Sequence, residues 1–216
     1  MKIAVLGATG NLGTEVVNEA LTAGHTVLAY ARRPEAITPR PGLEVVGGQL
    51  DDVDALSAAL AGSETLIVSV TGPMKDHTFC RRTLPGILTA AQRAGVNHLV
   101  LVSAFGAGDT AGKASLGARL LYRTVLRGFF DDKAAGEELL ATAGLAATVV
   151  FPVNLKQAPS GAGAAVEPLE NVARVPGLPT LPFVDAARAL VSVATDPETT
   201  GRRLLITTQK GWRARG

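Results

Sequence analysis

The chain has 216 residues, of which 47% are hydrophobic and only 4% aromatic, and its formal net charge is +2. That length suits one domain around a single core built from Ala, Val and Leu. The near-neutral balance, with bases dispersed in pairs such as Arg32-Arg33, Arg81-Arg82 and Arg202-Arg203, excludes a nucleic-acid-binding stripe.

The first predicted element is a strand over 2–6, whose unbroken apolar run marks a strand covered on both faces. A glycine-rich turn leads into a helix over 11–23. In chain order there follow strands over 26–31 and 43–47, a helix over 53–61, a strand over 65–70, a helix over 76–94 and a strand over 98–103. A helix over 131–143, a strand over 147–151, a helix over 183–195 and a strand over 203–207 complete the series. Gly24, Gly62, Gly95 and Gly144 stand just past four of the helices, where a left-handed cap is expected. This alternation predicts an α/β fold, a Rossmann-type doubly wound parallel sheet with helices on both faces and right-handed crossovers. A single domain over 1–209 is expected, followed by a frayed basic tail over 210–216.

Two segments break the rhythm. Residues 106–116 are rich in Gly, Ala, Ser and Thr, and residues 157–182 in Gly, Pro and Ala. Both follow predicted strands, so they are expected over the carboxyl edge of the sheet as lid-like loops, either touching substrate or merely variable. Cys80 is the only cysteine and the three histidines are well separated, which leaves no disulfide and no metal-ligand spacing. With glycines interrupting the N-terminal apolar run, a cytoplasmic protein without nucleic-acid or membrane partners is expected, as a monomer or homodimer.

The chemistry is carried first by Gly7-Ala8-Thr9-Gly10-Asn11-Leu12-Gly13, which ends a strand and opens a helix. In that context Gly7 permits the tight turn, Gly10 lets backbone approach a pyrophosphate, and Gly13 lets the helix pack on the sheet. The helix N-terminus offers unpaired N–H groups to phosphate, and Thr9 and Asn11 can add side-chain hydrogen bonds. An acid that would hold a ribose 2′-hydroxyl is missing after the second strand, which ends in Arg32-Arg33-Pro34. Guanidinium groups suit a 2′-phosphate, so NADP(H) is the expected cofactor; the alternative is a pair of solvated turn arginines.

The glycine turn together with Arg32-Arg33-Pro34 resembles the atypical short-chain dehydrogenase/reductases, in particular the NAD(P)H-binding group that includes NmrA-like proteins and the biliverdin reductase B/flavin reductases. The resemblance continues through Gly48-Gln49-Leu50-Asp51, Val100 to Ser103, Asp132-Lys133 with Glu137, and Thr148 to Pro152, then Val184-Asp185-Ala186 and Gly201-Arg202. It implies that Thr9 to Leu12 and Arg32-Arg33 hold phosphates and that Leu50 and Asp51 lie beside adenine. It further implies that Val70 and Thr71 border the nicotinamide ribose, with Ser103, Lys133, Pro152 and Val153 near the nicotinamide.

The chain also departs from that pattern. A typical short-chain reductase carries Tyr four residues before Lys, but here Phe129 stands four before Lys133, and Tyr122 is misplaced. Gln49 stands where Asp is frequent, and Phe151 precedes Pro152 where Arg is common. Three catalytic candidates remain: Ser103 to orient the acceptor or nicotinamide, Lys133 to bond ribose hydroxyls, and His77 as a general acid near neutral pH. Each has an ordinary alternative, as a strand-end serine, a solvated helix lysine and a loop histidine. The resemblance implies an NADPH-dependent oxidoreductase passing hydride to a small-molecule acceptor of flavin, quinone or tetrapyrrole type. The alternative is an NmrA-like redox sensor without turnover, which the missing Tyr would permit.

Overall fold

The structure, a computed structural model, describes residues 1–73 and 75–215; Gly216, the last residue of the expected tail, lies outside the described residues. The elements run β1 (Lys2–Leu6), α1 (Asn11–Thr22), β2 (Thr26–Ala31), β3 (Leu43–Gly47), α2 (Val53–Leu60), β4 (Thr65–Val68), α3 (Phe79–Arg93) and β5 (His98–Val102). Then come α4 (Leu116–Arg123), α5 (Arg127–Ala141), β6 (Ala147–Pro152), β7 (Asn154–Lys156), β8 (Ala164–Pro168), β9 (Val172–Arg174) and β10 (Thr180–Pro182). The last are α6 (Phe183–Thr195), β11 (Arg203–Thr208) and β12 (Arg213–Ala214).

An eight-stranded sheet in the order β3-β2-β1-β4-β5-β6-β11-β8 forms the middle layer. Successive side chains of a strand point to opposite faces. Ile3 and Val5 therefore join one core with α1 and α6, while Ala4 and Leu6 join another with α2, α3 and α5. Burial on both faces is what the unbroken apolar runs require. All pairings in this sheet are parallel except β8, which runs antiparallel along β11. From β1 the chain winds outward to β3, then returns past β1 to wind the other way from β4. Ligands of such sheets bind outside the strand ends at this reversal, between β1 and β4.

The two segments expected as lids are structural instead. Residues 157–182 supply β8 as the edge of the main sheet, β9, and β10 in a parallel pair with β7. Their Gly, Ala and Pro content hides any strand alternation, because an edge strand covered on one side needs few large apolar residues. Asp185, 1% exposed, holds the loop before β8 by accepting from Ser160 Oγ at 2.6 Å and Gly161 N at 2.8 Å. Residues 106–116 form a 3-10 helix over Gly108–Lys113 and the start of α4, fastened by Lys113 Nζ donating to the Val172 carbonyl at 2.6 Å. The C-terminal tail is docked rather than frayed. β12 pairs with β9, Arg215 N donates to Asn171 O at 2.8 Å, and Trp212 packs on the core. No helix among the described residues is long and apolar enough to cross a membrane.

α3 begins without a capping side chain of its own, and α5 provides one across the interface. The Asp132 carboxylate, 4% exposed, accepts from Cys80 N at 2.8 Å and Arg81 N at 3.2 Å. Asp132→Ala leaves these first-turn donors unpaired, and charge-assisted caps of this kind contribute about 2 kcal/mol. A lowered urea midpoint at unchanged slope is the expected result. An unchanged midpoint would show that water replaces the cap without loss.

Candidate functional site

A cleft of about 910 Å³ runs along the carboxyl ends of the strands on either side of the reversal. Its floor at one end is the glycine turn. Gly7 has φ +85°, a conformation that side chains oppose, and a Cβ there would run into the Ser69 carbonyl. A Cβ at Gly13 would land on the Gly7 carbonyl, so this glycine sets the contact between helix and turn. Gly10 is different. Its backbone is extended, at φ −81° and ψ 163°, and a Cβ would meet only Gly7 O at 3.3 Å. Packing within the protein scarcely demands glycine at this position, whereas a ligand lying on the backbone would. No side chain caps α1 and no acid occupies its first turn, so its N-terminal N–H groups are left for an anion. Thr9, Asn11 and Leu12 form the adjoining wall. This cradle fits the pyrophosphate of a dinucleotide.

Leu50 and Asp51 line the cleft beyond the turn, as does Arg32. Arg33 does not line it and stands instead at the start of the 3-10 turn over Pro34–Ala36. One contributor here carries no signal of its own in the local pattern. Tyr30, 2% exposed, lines the cleft and donates its hydroxyl to Gln49 O at 3.1 Å, and a Cβ at Gly48 would fall on that hydroxyl. Glycine at 48 is thus the only available signal for the tyrosine packed against it.

At the other end, Val70, Thr71, Ser103, Pro152 and Val153 all line the cleft. So do five of the chain's six phenylalanines, namely Phe79, Phe105, Phe129, Phe130 and Phe183. Because they come from four separate parts of the chain, nothing in the sequence marks them as a group. Phe129 packs edge-on against Phe130 at 5.2 Å, and Tyr122 packs behind Phe130 at 4.7 Å without reaching the cleft wall.

Lys133 does not line the cleft. It lies beneath the floor, 6% exposed, with Nζ donating to the carbonyls of Val70 at 3.1 Å and Val102 at 3.2 Å. Burial holds its pKa below the usual lysine value. It ties the ends of β4 and β5 together, because α5 packs flat on the sheet and delivers the residue at 133 under the strand ends rather than over them. His77 is exposed and also outside the wall, its ring resting against Gly128 at the start of α5. Cys80 is half-buried, and burial pushes its thiol up to about 11, which disfavours the thiolate.

Ser103 Oγ, at the end of β5, donates to Glu137 Oε1 at 2.6 Å. Arg203 reaches the other oxygen of Glu137 at 3.4 Å and pairs with Asp109 at 2.6 and 2.9 Å. Its guanidinium also sits 5.0 Å above the Phe151 ring, so an arginine from β11 comes over the position where the resembling family commonly has its own. Burial pushes the Glu137 carboxyl above the usual range, opposed by the Ser103 hydrogen bond and the Arg203 charge.

A family model described as NAD(P)H-binding matches residues 7–197. The photosystem II assembly factor Ycf39 of Synechocystis is 31% identical over 109 residues, covering 48% of this chain and 33% of that protein. A (4-alkanoyl-5-oxo-2,5-dihydrofuran-3-yl)methyl phosphate reductase of Streptomyces griseus is 39% identical over 102 residues, 47% of this chain and 34% of that one. An NAD(P)H azoreductase of Xenophilus azovorans is 34% identical over 108 residues, 49% of this chain and 36% of that one. The matches thus span about a third of these curated relatives. Among solved structures, the oxidoreductase ylbE of Lactococcus lactis superposes with a TM-score of 0.81 at 18% identity, over 98% of this chain and 93% of that one. The anaerobilin reductase ChuY of Escherichia coli O157:H7 gives 0.77 at 19% identity, over 97% and 98%. A short-chain dehydrogenase/reductase of Veillonella parvula in complex with NADP gives 0.78 at 16% identity, over 98% and 96%. These likenesses show the fold.

Proposed function

Because the chain belongs to the NAD(P)H-binding family, we propose that it is an NADPH-dependent reductase of a small, flat, conjugated acceptor of quinone, flavin or tetrapyrrole type. The observation that carries this reading is the gathering of phenylalanine rings. A chain with only 4% aromatic residues commits five of its six phenylalanines to one cleft. Such rings stack on planar π-systems and keep water from the reacting atoms. When bound, the dihydronicotinamide supplies the hydride. The glycine turn and the α1 N-terminus hold its pyrophosphate, Arg32 faces the 2′-phosphate, and Ser103 orients what lies against the β5 end.

Relatives named as reductases of an oxo-dihydrofuran and of azo compounds support the same chemistry, since both substrates are conjugated. The test is an NADPH-oxidation screen of the purified chain against quinones, flavins, tetrapyrroles and saturated aldehydes. Turnover with the planar acceptors and none with the saturated aldehydes is expected. NADPH binding with no turnover in any arm would favour instead a redox sensor, the reading suggested by Phe129 in the place of a proton-bearing tyrosine.

A further inference from the structure

On the footing of the reductase reading above, we propose that Glu137 holds the proton of the reaction and passes it to the acceptor through the Ser103 hydroxyl, which selects acceptors with a conjugated carbonyl. Neither tyrosine is placed for this part: Phe129 occupies the cleft beside Ser103, Tyr122 lies behind Phe130, and Tyr30 stands at the other end with its hydroxyl donated to Gln49 O. Ser103 stands between two compartments, lining both the main cleft and a small void beneath it that Lys133 and Cys80 also border. A hydroxyl can give one proton while accepting another. Its partner behind the floor is a carboxyl 2.6 Å away whose side chain is only 12% exposed.

Groups from four elements face Glu137. Ser103 comes from the end of β5, Arg203 from β11 and Asp109 from the 3-10 helix, while Lys133 lies one turn earlier on α5. Arg203 gives its two short hydrogen bonds to Asp109 and only a 3.4 Å contact to Glu137, so its charge does not lock Glu137 as an anion. Burial favours the protonated carboxyl, and Arg203 and Lys133 steady the carboxylate once the proton has left. Lys133 itself is engaged with two backbone carbonyls and stays out of the transfer.

The step balances. The acceptor carbon gains two electrons as hydride from the dihydronicotinamide, and the acceptor oxygen takes the proton of Ser103 Oγ. Ser103 takes the carboxyl proton of Glu137, the resulting carboxylate is reprotonated from solvent at its exposed margin, and NADP⁺ and the reduced acceptor leave. A carbonyl conjugated to the carbon that receives hydride needs this proton as its oxygen becomes anionic, which is why that acceptor class fits.

The experiment has two arms. In the cofactor-free full chain, carbon-13 NMR of Glu carboxyl groups, with Glu137→Gln used to assign the resonance, should show Glu137 titrating above the ordinary value of about 4.3. Ser103→Ala should move that titration further up, because the carboxylate loses a donor. In quinone reduction at saturating NADPH, Glu137→Gln should lower kcat by about 100-fold and remove the fall in rate at high pH, with NADPH affinity unchanged. Glu137→Asp should restore part of both. Titration at the ordinary value, indifferent to Ser103→Ala, overturns the proposal. Wild-type kcat and pH profile in Glu137→Gln also overturn it, while leaving the reductase reading intact. A wild-type chain that reduces no acceptor brings down the reductase reading and this proposal with it, whatever the NMR shows.

Discussion

Replacing Gly10 with valine is expected to abolish dinucleotide binding in a chain that still folds. The extended backbone at Gly10 accepts any side chain, and the nearest obstacle to a Cβ is Gly7 O at 3.3 Å. A valine side chain would instead stand where a pyrophosphate meets the α1 N-terminus. Losing two charge-assisted hydrogen bonds costs about 3–6 kcal/mol, which is a fall in affinity of about 100-fold or more. The neighbouring glycines should behave otherwise. Gly7→Val forces a side chain into φ +85° and into the Ser69 carbonyl, and Gly13→Val drives one into the Gly7 carbonyl, so both should fail to fold. Calorimetric titration with NADPH, beside thermal melts of each variant, separates the two effects. Undiminished affinity in folded Gly10→Val would remove the turn from the binding site.

The second large effect concerns Arg32. An arginine beside the 2′-phosphate contributes about 1.5–3 kcal/mol, and 1.4 kcal/mol is tenfold, so NADPH should bind about 10- to 100-fold more tightly than NADH. Salt should reduce the ratio, because Arg32 is exposed and its charge is screened. Arg32→Ala should lose most of the preference and keep NADH binding, since the 2′-phosphate alone distinguishes the ligands. Arg33→Ala should keep most of it, because Arg33 is not part of the cleft wall. Equal NADPH and NADH dissociation constants in the unaltered chain at low salt would return both arginines to the role of solvated turn residues. Loss of the preference through Arg33→Ala alone would exchange their roles.

These two experiments address the part of the site that is legible in local sequence. A glycine turn acts through backbone conformation and steric clearance, both properties of a few consecutive residues, so the separate tasks of Gly7, Gly10 and Gly13 follow from their spacing between strand and helix. The parallel strands are legible for a related reason. Ile3, Ala4, Val5 and Leu6 are all apolar because both faces of β1 are covered, and that requirement leaves its mark on each residue in turn. Helix ends are legible where Gly24, Gly62, Gly95 and Gly144 take positive φ.

The edge of the fold is not. β8 to β10 and β12 are short, poor in large apolar residues, and exist only through pairing, β8 with β11, β10 with β7, and β9 with β12. Periodicity carries no trace of such pairing, which is why 157–182 has the composition of a lid and the structure of a sheet edge. Lys133 illustrates the same limit within the site. The resemblance sets it beside the nicotinamide, but whether a lysine lies over or under a strand end depends on how α5 packs on the sheet. Its two carbonyl partners, Val70 and Val102, lie 63 and 31 residues away in the chain.

The sequence by itself thus determined the parallel α/β framework, the glycine cradle and the absence of an acid after β2, because each follows from the stereochemistry of adjacent residues. Only the tertiary structure decided that Arg32 rather than Arg33 joins the cleft, that scattered phenylalanines line it, and that Ser103 meets Glu137 with Arg203 and Asp109 behind. Those relations are distances between groups on separate elements. They are set by how the helices pack on a twisted sheet, which no stretch of neighbouring residues encodes.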